Sequence, residues 1–471
     1  MIKDFVKEGS IYALAGIAAK GVSLVMIPIF TFYFSTRDFG RIEILYVLSM
    51  LTSGLLSWQL GQGLIRYVSQ HRNDEKRKLF LGSTALIFTL FAYFIGTLIL
   101  ILLGPQLLKI FHLETQISFK TYILTMMAIF LNGIFSFFGS HLQALRKKNQ
   151  FAISNFIHSL LGILATYLFV IVFDKSINGI FYATIVTVPI SIIYQFSVLR
   201  NEYKWLFSSA ILRQLLAYSL PLVPGALALI LLSITDRVMV NYLTNLSTLG
   251  IYSVALKFAF GFQIIIQGFG MAINPLTFEK HVLPKTQESI GFLLSNYIKL
   301  GGIAILIMGM FSREIVYIFT QAPYYNAQYV MPMLFAAIWV QGLSMFALGL
   351  HISKKTLHIS LIACVSVLVN ILLNLYLIPI FDIKGAALST LVAMLTNTLL
   401  VVYFSKKYFP LHLQTKDLLV FVAVIALIIL CSTSVIGDIF ASVTWIHKTI
   451  LALLGLVLIF FTVSTKKLHT D

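Results

Sequence analysis

The sequence predicts an all-α polytopic membrane protein with fourteen transmembrane helices, arranged as two pseudo-symmetric six-helix halves plus two C-terminal helices. Three observations predict it. Of the 471 residues, 59% are hydrophobic and only 11% are charged, whereas soluble domains carry about 25% charge. The apolar residues fall into long runs, each suited to the roughly 20 residues of one bilayer crossing. The basic residues are concentrated in alternate loops, as expected when positive charge fixes topology. Mean hydropathy is +0.93.

Polar punctuation delimits the spans in order. Spans 1 and 2 (9–35 and 42–65) flank the turn "STRDFGR". Spans 3 and 4 (80–103 and 119–144) follow "RNDEKRK" and "HLETQIS". Spans 5 and 6 (151–173 and 177–198) are divided by "DKS" and closed by "RNEYK". Spans 7 and 8 (214–242 and 248–275) join through "TNLSTLG". Spans 9 and 10 (291–311 and 329–351) follow "EKHVLPKTQE" and "TQAPYYNAQ". Spans 11 and 12 (357–380 and 384–405) follow "SKKT" and "FDI". Spans 13 and 14 (417–437 and 444–464) form a C-terminal appendix. Several runs exceed 20 residues, which tilt accommodates.

An internal repeat organises these spans. "YFSTRDFGRIEILYVLS" joins spans 1 and 2 as "YLTNLSTLGIYSVALKF" joins spans 7 and 8, aligning Gly40 with Gly250 at an offset of 210. Spans 1 and 7 point the same way, so the repeat is parallel, about an axis along the membrane normal. The expected divisions are residues 1–205, 206–410 and 411–471.

The net charge is +17, from 34 basic and 17 acidic residues. With no soluble basic domain, the excess does not point to nucleic acid. Placing both termini in the cytoplasm puts 22 basic residues inside and nine outside, with Lys20, Lys257 and Lys299 within spans. That bias fixes the orientation and leaves contact with membrane lipids as the bland role of the surface charge. Cys364 and Cys431, the two cysteines, lie in separate apolar runs and define no disulfide or metal spacing.

Ionisable groups inside a membrane normally face a cavity or a partner. Lys20 lies about 11 residues into span 1, roughly 16 Å deep and near the midplane, which makes it the first candidate for a cationic cavity. Lys299 lies about 12 Å into span 9. Asp236 and Arg237 sit below the outer end of span 7. Lys257, in the antiparallel span 8, is the expected partner of Asp236. Arg66, ending span 2 in "GQGLIRY", reads either as an interfacial anchor or as a phosphate contact, because a guanidinium fits phosphate bidentately. Buried acidic groups are scarce, so the spans favour an anionic cargo over a cationic one. Uncharged polar groups such as Gln59, Gln62, His141, Asn370 and Asn374 read first as interhelical hydrogen-bond formers and second as sugar contacts. Pro28 in span 1, with Pro221 and Pro224 in span 7, removes backbone bonds where a hinge would sit. No phosphate loop, nucleophile elbow or HExxH occurs, and no cofactor or catalytic residue is expected.

Four stretches carry a family resemblance: "PIFTFYFSTRDFG" (28–40), "TDRVMVNYLTNLSTLGIYSVALKFA" (235–259), "YYNAQYVMPML" (324–334) and "ISKKTLHISLIACVSVLVNILLNLYLIPIFDIKGAALST" (352–390). The chain resembles bacterial polysaccharide (O-antigen type) flippases of the multidrug/oligosaccharidyl-lipid/polysaccharide exporter superfamily. The resemblance implies a carrier in the bacterial inner membrane. It would move undecaprenyl-diphosphate-linked glycans outward for surface polysaccharide synthesis, with a polysaccharide polymerase as a further partner. An ion-coupled multidrug exporter of the same superfamily is the alternative. It should carry deep acidic residues in the first half, and none occur there. A membrane polymerase would need large outer loops, which this sequence lacks.

Overall fold

The computed structural model describes residues 24–431, apart from 111–112, 264–265, 267–269, 271–272, 274–283, 354 and 411–414. Lys20 and span 14 lie outside the described residues. Every described element is helical, because hydrocarbon leaves backbone polar groups no partner but their own helix. Nine helices among the described residues are long and apolar enough to cross a membrane, and ten if one bent pair counts as a single span.

The chain forms two compact units. One holds residues 41–234 and the other holds 24–40 with 235 onward. Two helices, α2 (Thr36–Leu56) and α10 (Val223–Leu243), run covalently from one unit into the other.

In the 41–234 unit, α2 is followed by α3 (Leu60–Gln70), α4 (Glu75–Leu102), α5 (Gly104–Ile110) and α6 (Phe119–Ala144). Then come α7 (Lys148–Tyr167), α8 (Ser176–Leu199) and α9 (Ser209–Ser219). Local chemistry sets the helix starts. Asp74 accepts from the Arg77 amide at 2.9 Å and Ser118 from the Thr121 amide at 3.1 Å. Both satisfy donors that a first turn leaves open. One core packs Leu60, Leu64 and Val68 of α3 against Leu81 and Ala85 of α4, Phe137 and Leu142 of α6, and Leu215 of α9.

Span 2 departs from expectation. It is a broken helix, not one rod. Trp58 and Gln59 adopt φ of 48° and 51°, so α2 ends and α3 begins anew from the Leu60 amide, which donates to Ser57 O at 2.9 Å. Two successive left-handed non-glycine residues cost about 1–2 kcal/mol each. Span 7 behaves in the opposite way. At Pro221 the ladder tightens into a 3-10 turn, Leu220–Leu222, yet Ser209–Leu243 remains one 35-residue span through Pro224.

In the other unit, α1 (Leu24–Tyr33) contains Pro28, and α11 (Leu246–Gly261) follows the end of α10. Next come α12 (Pro284–Met310), α13 (Ser312–Phe319) and α14 (Met331–Leu343). The short α15 (Gly349–Ile352) precedes α16 (Thr356–Phe381), α17 (Ile383–Lys406) and α18 (Thr415–Cys431). Span 10 is bent by 51° where the 3-10 segment Ala322–Tyr329 meets Met331–Phe346. Tyr324 in that segment is buried and donates to Phe34 O at 2.8 Å, satisfying a carbonyl at the end of α1.

Candidate functional site

The repeat-related turns meet. Ser35 Oγ accepts from the Asp38 amide at 3.2 Å, capping α2. Asn245 Oδ1 accepts from the Thr248 amide at 3.0 Å, capping α11. Residues 35 and 245 are separated by the 210-residue offset of the repeat. Just beyond the caps, a Cβ on Gly40 would strike the carbonyl oxygen of Leu246, and a Cβ on Gly250 would strike that of Thr36. The contact is reciprocal: each glycine meets the residue four positions before the other. Only glycine permits such backbone approach.

Directly below lies the buried charge group. Asp236 and Arg237 of α10 are 3% and 5% exposed. Tyr252 of α11 donates its hydroxyl to Asp236 Oδ2 at 2.5 Å, and the Arg237 amide donates to Oδ1 at 2.9 Å. The Thr390 hydroxyl of α17 stands 3.5 Å from Oδ2. One carboxylate thus ties three helices together. Lys257 was the expected span-8 partner of Asp236. Tyr252, on the same helix as Lys257, donates to Asp236, and the Lys257 ammonium stands 5.5 Å over the Phe39 ring. The Arg237 guanidinium lies 5.6 Å over Phe260. Cation–π attraction of this kind strengthens away from water.

Lys299 has a carboxylate of its own. Its ammonium pairs with Asp417 at 3.3 Å, and Ser295 donates to the same oxygen at 3.0 Å. Both partners on α12 sit one turn apart and grip the first turn of α18, where a negative charge also suits the helix dipole. Sequence reasoning missed Asp417 because it opens a span, where an acidic residue looks interfacial.

Arg66 lies on α3 in the 41–234 unit, exposed, with its guanidinium 4.2 Å over the ring of Tyr218. Nearby, Tyr203 and His141 Nδ1 share a 2.6 Å hydrogen bond that holds the 200–208 linker to the end of α6. Asn374 donates to Asn370 at 3.0 Å along α16, and both are buried. Neither bond joins two spans: Asn370 and Asn374 share α16, and Tyr203 lies in the 200–208 linker. Of the expected cations, Arg237 and Lys257 share the surroundings of Asp236, Lys299 stands with Asp417, and Arg66 belongs to the other unit.

Helix content and span lengths define a multi-pass membrane protein. The family model described as "Polysaccharide biosynthesis protein" matches residues 5–281, more than half the chain, and the chain belongs to that family. It is 24% identical to an uncharacterized membrane protein of Methanocaldococcus jannaschii over 409 residues, 78% of each chain. Its fold is that of solved transporters. An inward closed form of the lipid II flippase MurJ superposes with a TM-score of 0.74 at 15% identity, over 96% of this chain and 98% of that one. An inward-facing multidrug resistance MATE family transporter of the MOP superfamily gives 0.71 at 12% identity, over 83% and 94%.

Proposed function

We propose that the chain is a carrier, not an enzyme, which flips undecaprenyl-diphosphate-linked oligosaccharide units across the bacterial inner membrane by alternating access. The headgroup passes through a cationic central cavity while the polyprenyl tail stays in lipid. The family match, carried on a transporter fold, is the observation on which this reading rests. The excess of basic over acidic residues, 34 to 17, supports an anionic cargo through the field it creates. The reciprocal Gly40 and Gly250 contact supports two six-helix halves, 1–205 and 206–410, with 411–471 adding the last two of fourteen spans. The distribution of basic residues supports cytoplasmic termini. A polymerase acting on the outer leaflet is the proposed consumer of the product.

The test is a deletion strain with lipid-linked sugar measured separately in each leaflet. Sugar accumulating in the inner leaflet and vanishing from the outer is expected. Normal outer-leaflet sugar, with no second family member expressed, sinks the proposal.

A further inference from the structure

The linker between α8 and α9 is clamped on one side and bare on the other. Tyr203 and Ser208 are extended, with φ of −129° and −131°, so neighbouring side chains turn opposite ways. Tyr203 turns inward. Its ring lies parallel to Phe196 at 6.3 Å, packs on Phe138, and shares the His141 hydrogen bond. Lys204 and Ser208 donate their backbone amides to Ser83 Oγ and Thr84 Oγ1 of α4 at 3.0 and 3.2 Å. Gly82 admits this close packing, since a Cβ there would stand 2.7 Å from the His141 ring. Glu202, the one acidic residue between Leu199 and Leu220, is half-buried and pairs with Lys147 at 3.7 Å.

The outward side has the opposite character. Trp205 is 94% exposed and Phe207 53%. Arg200, Lys204 and, one turn into α9, Arg213 are exposed too. Two large aromatics and three cations therefore point away from the clamp, while the acid of the stretch is turned in. The backbone beneath them is already bonded, so presenting these groups costs little further ordering.

Depth says what this side meets. Lys78 is the last charge on α4. Ser83 and Thr84 follow it by five and six positions, about 8 Å along the axis. The headgroup layer on each face of a bilayer is about 5–7 Å thick. The bonds to Ser83 and Thr84 thus hold the linker at the border between headgroups and hydrocarbon. Aromatic rings with a polar edge settle at that border, and cations beside it are drawn to anionic lipid.

We propose that the linker surface of Arg200, Lys204, Trp205, Phe207 and Arg213 is a docking site for anionic phospholipid. Trp205 and Phe207 enter at the level of the acyl esters, and the three cations hold the headgroup phosphates. The inference is independent of what the carrier moves.

The experiment uses the full-length protein in vesicles of phosphatidylcholine, or of phosphatidylcholine mixed equally with phosphatidylglycerol. Brominated lipids quench tryptophan, and the emission lost in Trp205→Phe isolates the Trp205 signal. Bromines next to the esters are expected to quench it more than bromines at the chain ends. Brominated phosphatidylglycerol should compete for the site about fivefold or more better than brominated phosphatidylcholine. The triple variant Arg200→Gln, Lys204→Gln, Arg213→Gln should lose that preference and keep the depth profile, which also reports that the clamp is intact. Each single glutamine variant should lose part of the preference, so the test survives a triple variant that fails to fold. A Trp205 signal that no brominated lipid quenches overturns the site. Equal quenching by the two lipids leaves an aromatic anchor only and overturns the anionic assignment, as does a preference unchanged by all of the glutamine variants.

Discussion

Replacing Asp417 with asparagine tests how the buried cations are used. The substitution leaves the Lys299 ammonium in place without its carboxylate. At 3.3 Å and an effective dielectric of about 20, the attraction removed is about 5 kcal/mol. Desolvation of the two groups offsets most of it, so the intact pair differs little from an apolar pair of equal volume. Breaking the pair is another matter. The Lys299 and Asp417 side chains are 16% and 2% exposed, and stranding one partner of a buried pair costs about 3–5 kcal/mol. The lysine stem can still turn toward the headgroups, which places Asp417→Asn near the lower figure. Equilibrium unfolding in mixed micelles, run on the wild type, Asp417→Leu, Lys299→Met and the double variant, gives the coupling. A value of about 2 kcal/mol is expected, with the double variant close to wild type in stability and in transport. Coupling below about 0.5 kcal/mol refutes the tether. A double variant that is stable but idle would return Lys299 to the cargo path.

Three further outcomes follow from the geometry. Gly250→Ala and Gly40→Ala should each cost about 1–3 kcal/mol, because a methyl meets a backbone carbonyl; thermal unfolding should show the double variant costing less than the sum, since both changes part the same two helices. Asp236→Ala should destabilise by about 2–3 kcal/mol, as the buried Tyr252 hydroxyl loses its acceptor. Asp236→Asn, which keeps an acceptor, should cost clearly less in the same unfolding assay. Asp382→Gly should stabilise by about 1 kcal/mol, because φ there is 53° and glycine bears no Cβ. Burial raises the Asp382 carboxyl above its ordinary range, partly offset by the Ile383 amide. Its stability contribution is present below the ordinary carboxylate value and lost as pH rises through the raised one. The glycine variant should lack that slope in unfolding measured across pH.

Much of the fold was legible because hydrocarbon allows few alternatives. Span 4, expected at 119–144, is Phe119–Ala144, started by the Ser118 cap. Spans 11 and 12 likewise end within about a residue or two of expectation. The breaks were not legible. No glycine or proline occupies Trp58 or Gln59, so nothing local announced their left-handed backbone. The available signal lay just after, in a stretch whose polar residues recur every three or four positions. The prolines marked real irregularity at Leu220–Leu222 but no interruption of the span. Ion partners were the hardest part. Asp417 is 118 positions from Lys299, and only tertiary packing brings them together. For Asp236, proximity in the hairpin suggested Lys257, and nothing in the sequence singled out the hydroxyl of Tyr252, one turn nearer the loop, which donates to the carboxylate.

The reciprocal glycine contact bears on whether the two similar turns are a repeat or a coincidence. Common hairpin chemistry explains why both begin with a polar cap and a small residue five positions later. It does not explain why the two turns touch, or why they touch at matching positions. Gly40 meets Leu246 and Gly250 meets Thr36, which is the isologous pattern that a two-fold axis imposes. A parallel repeat places such an axis along the membrane normal. The four positions are then governed by one interhelical separation, and neither glycine can be replaced without moving its counterpart. That coupling is why the double alanine variant, and not either single one, discriminates a true pseudo-two-fold contact from two independent close approaches.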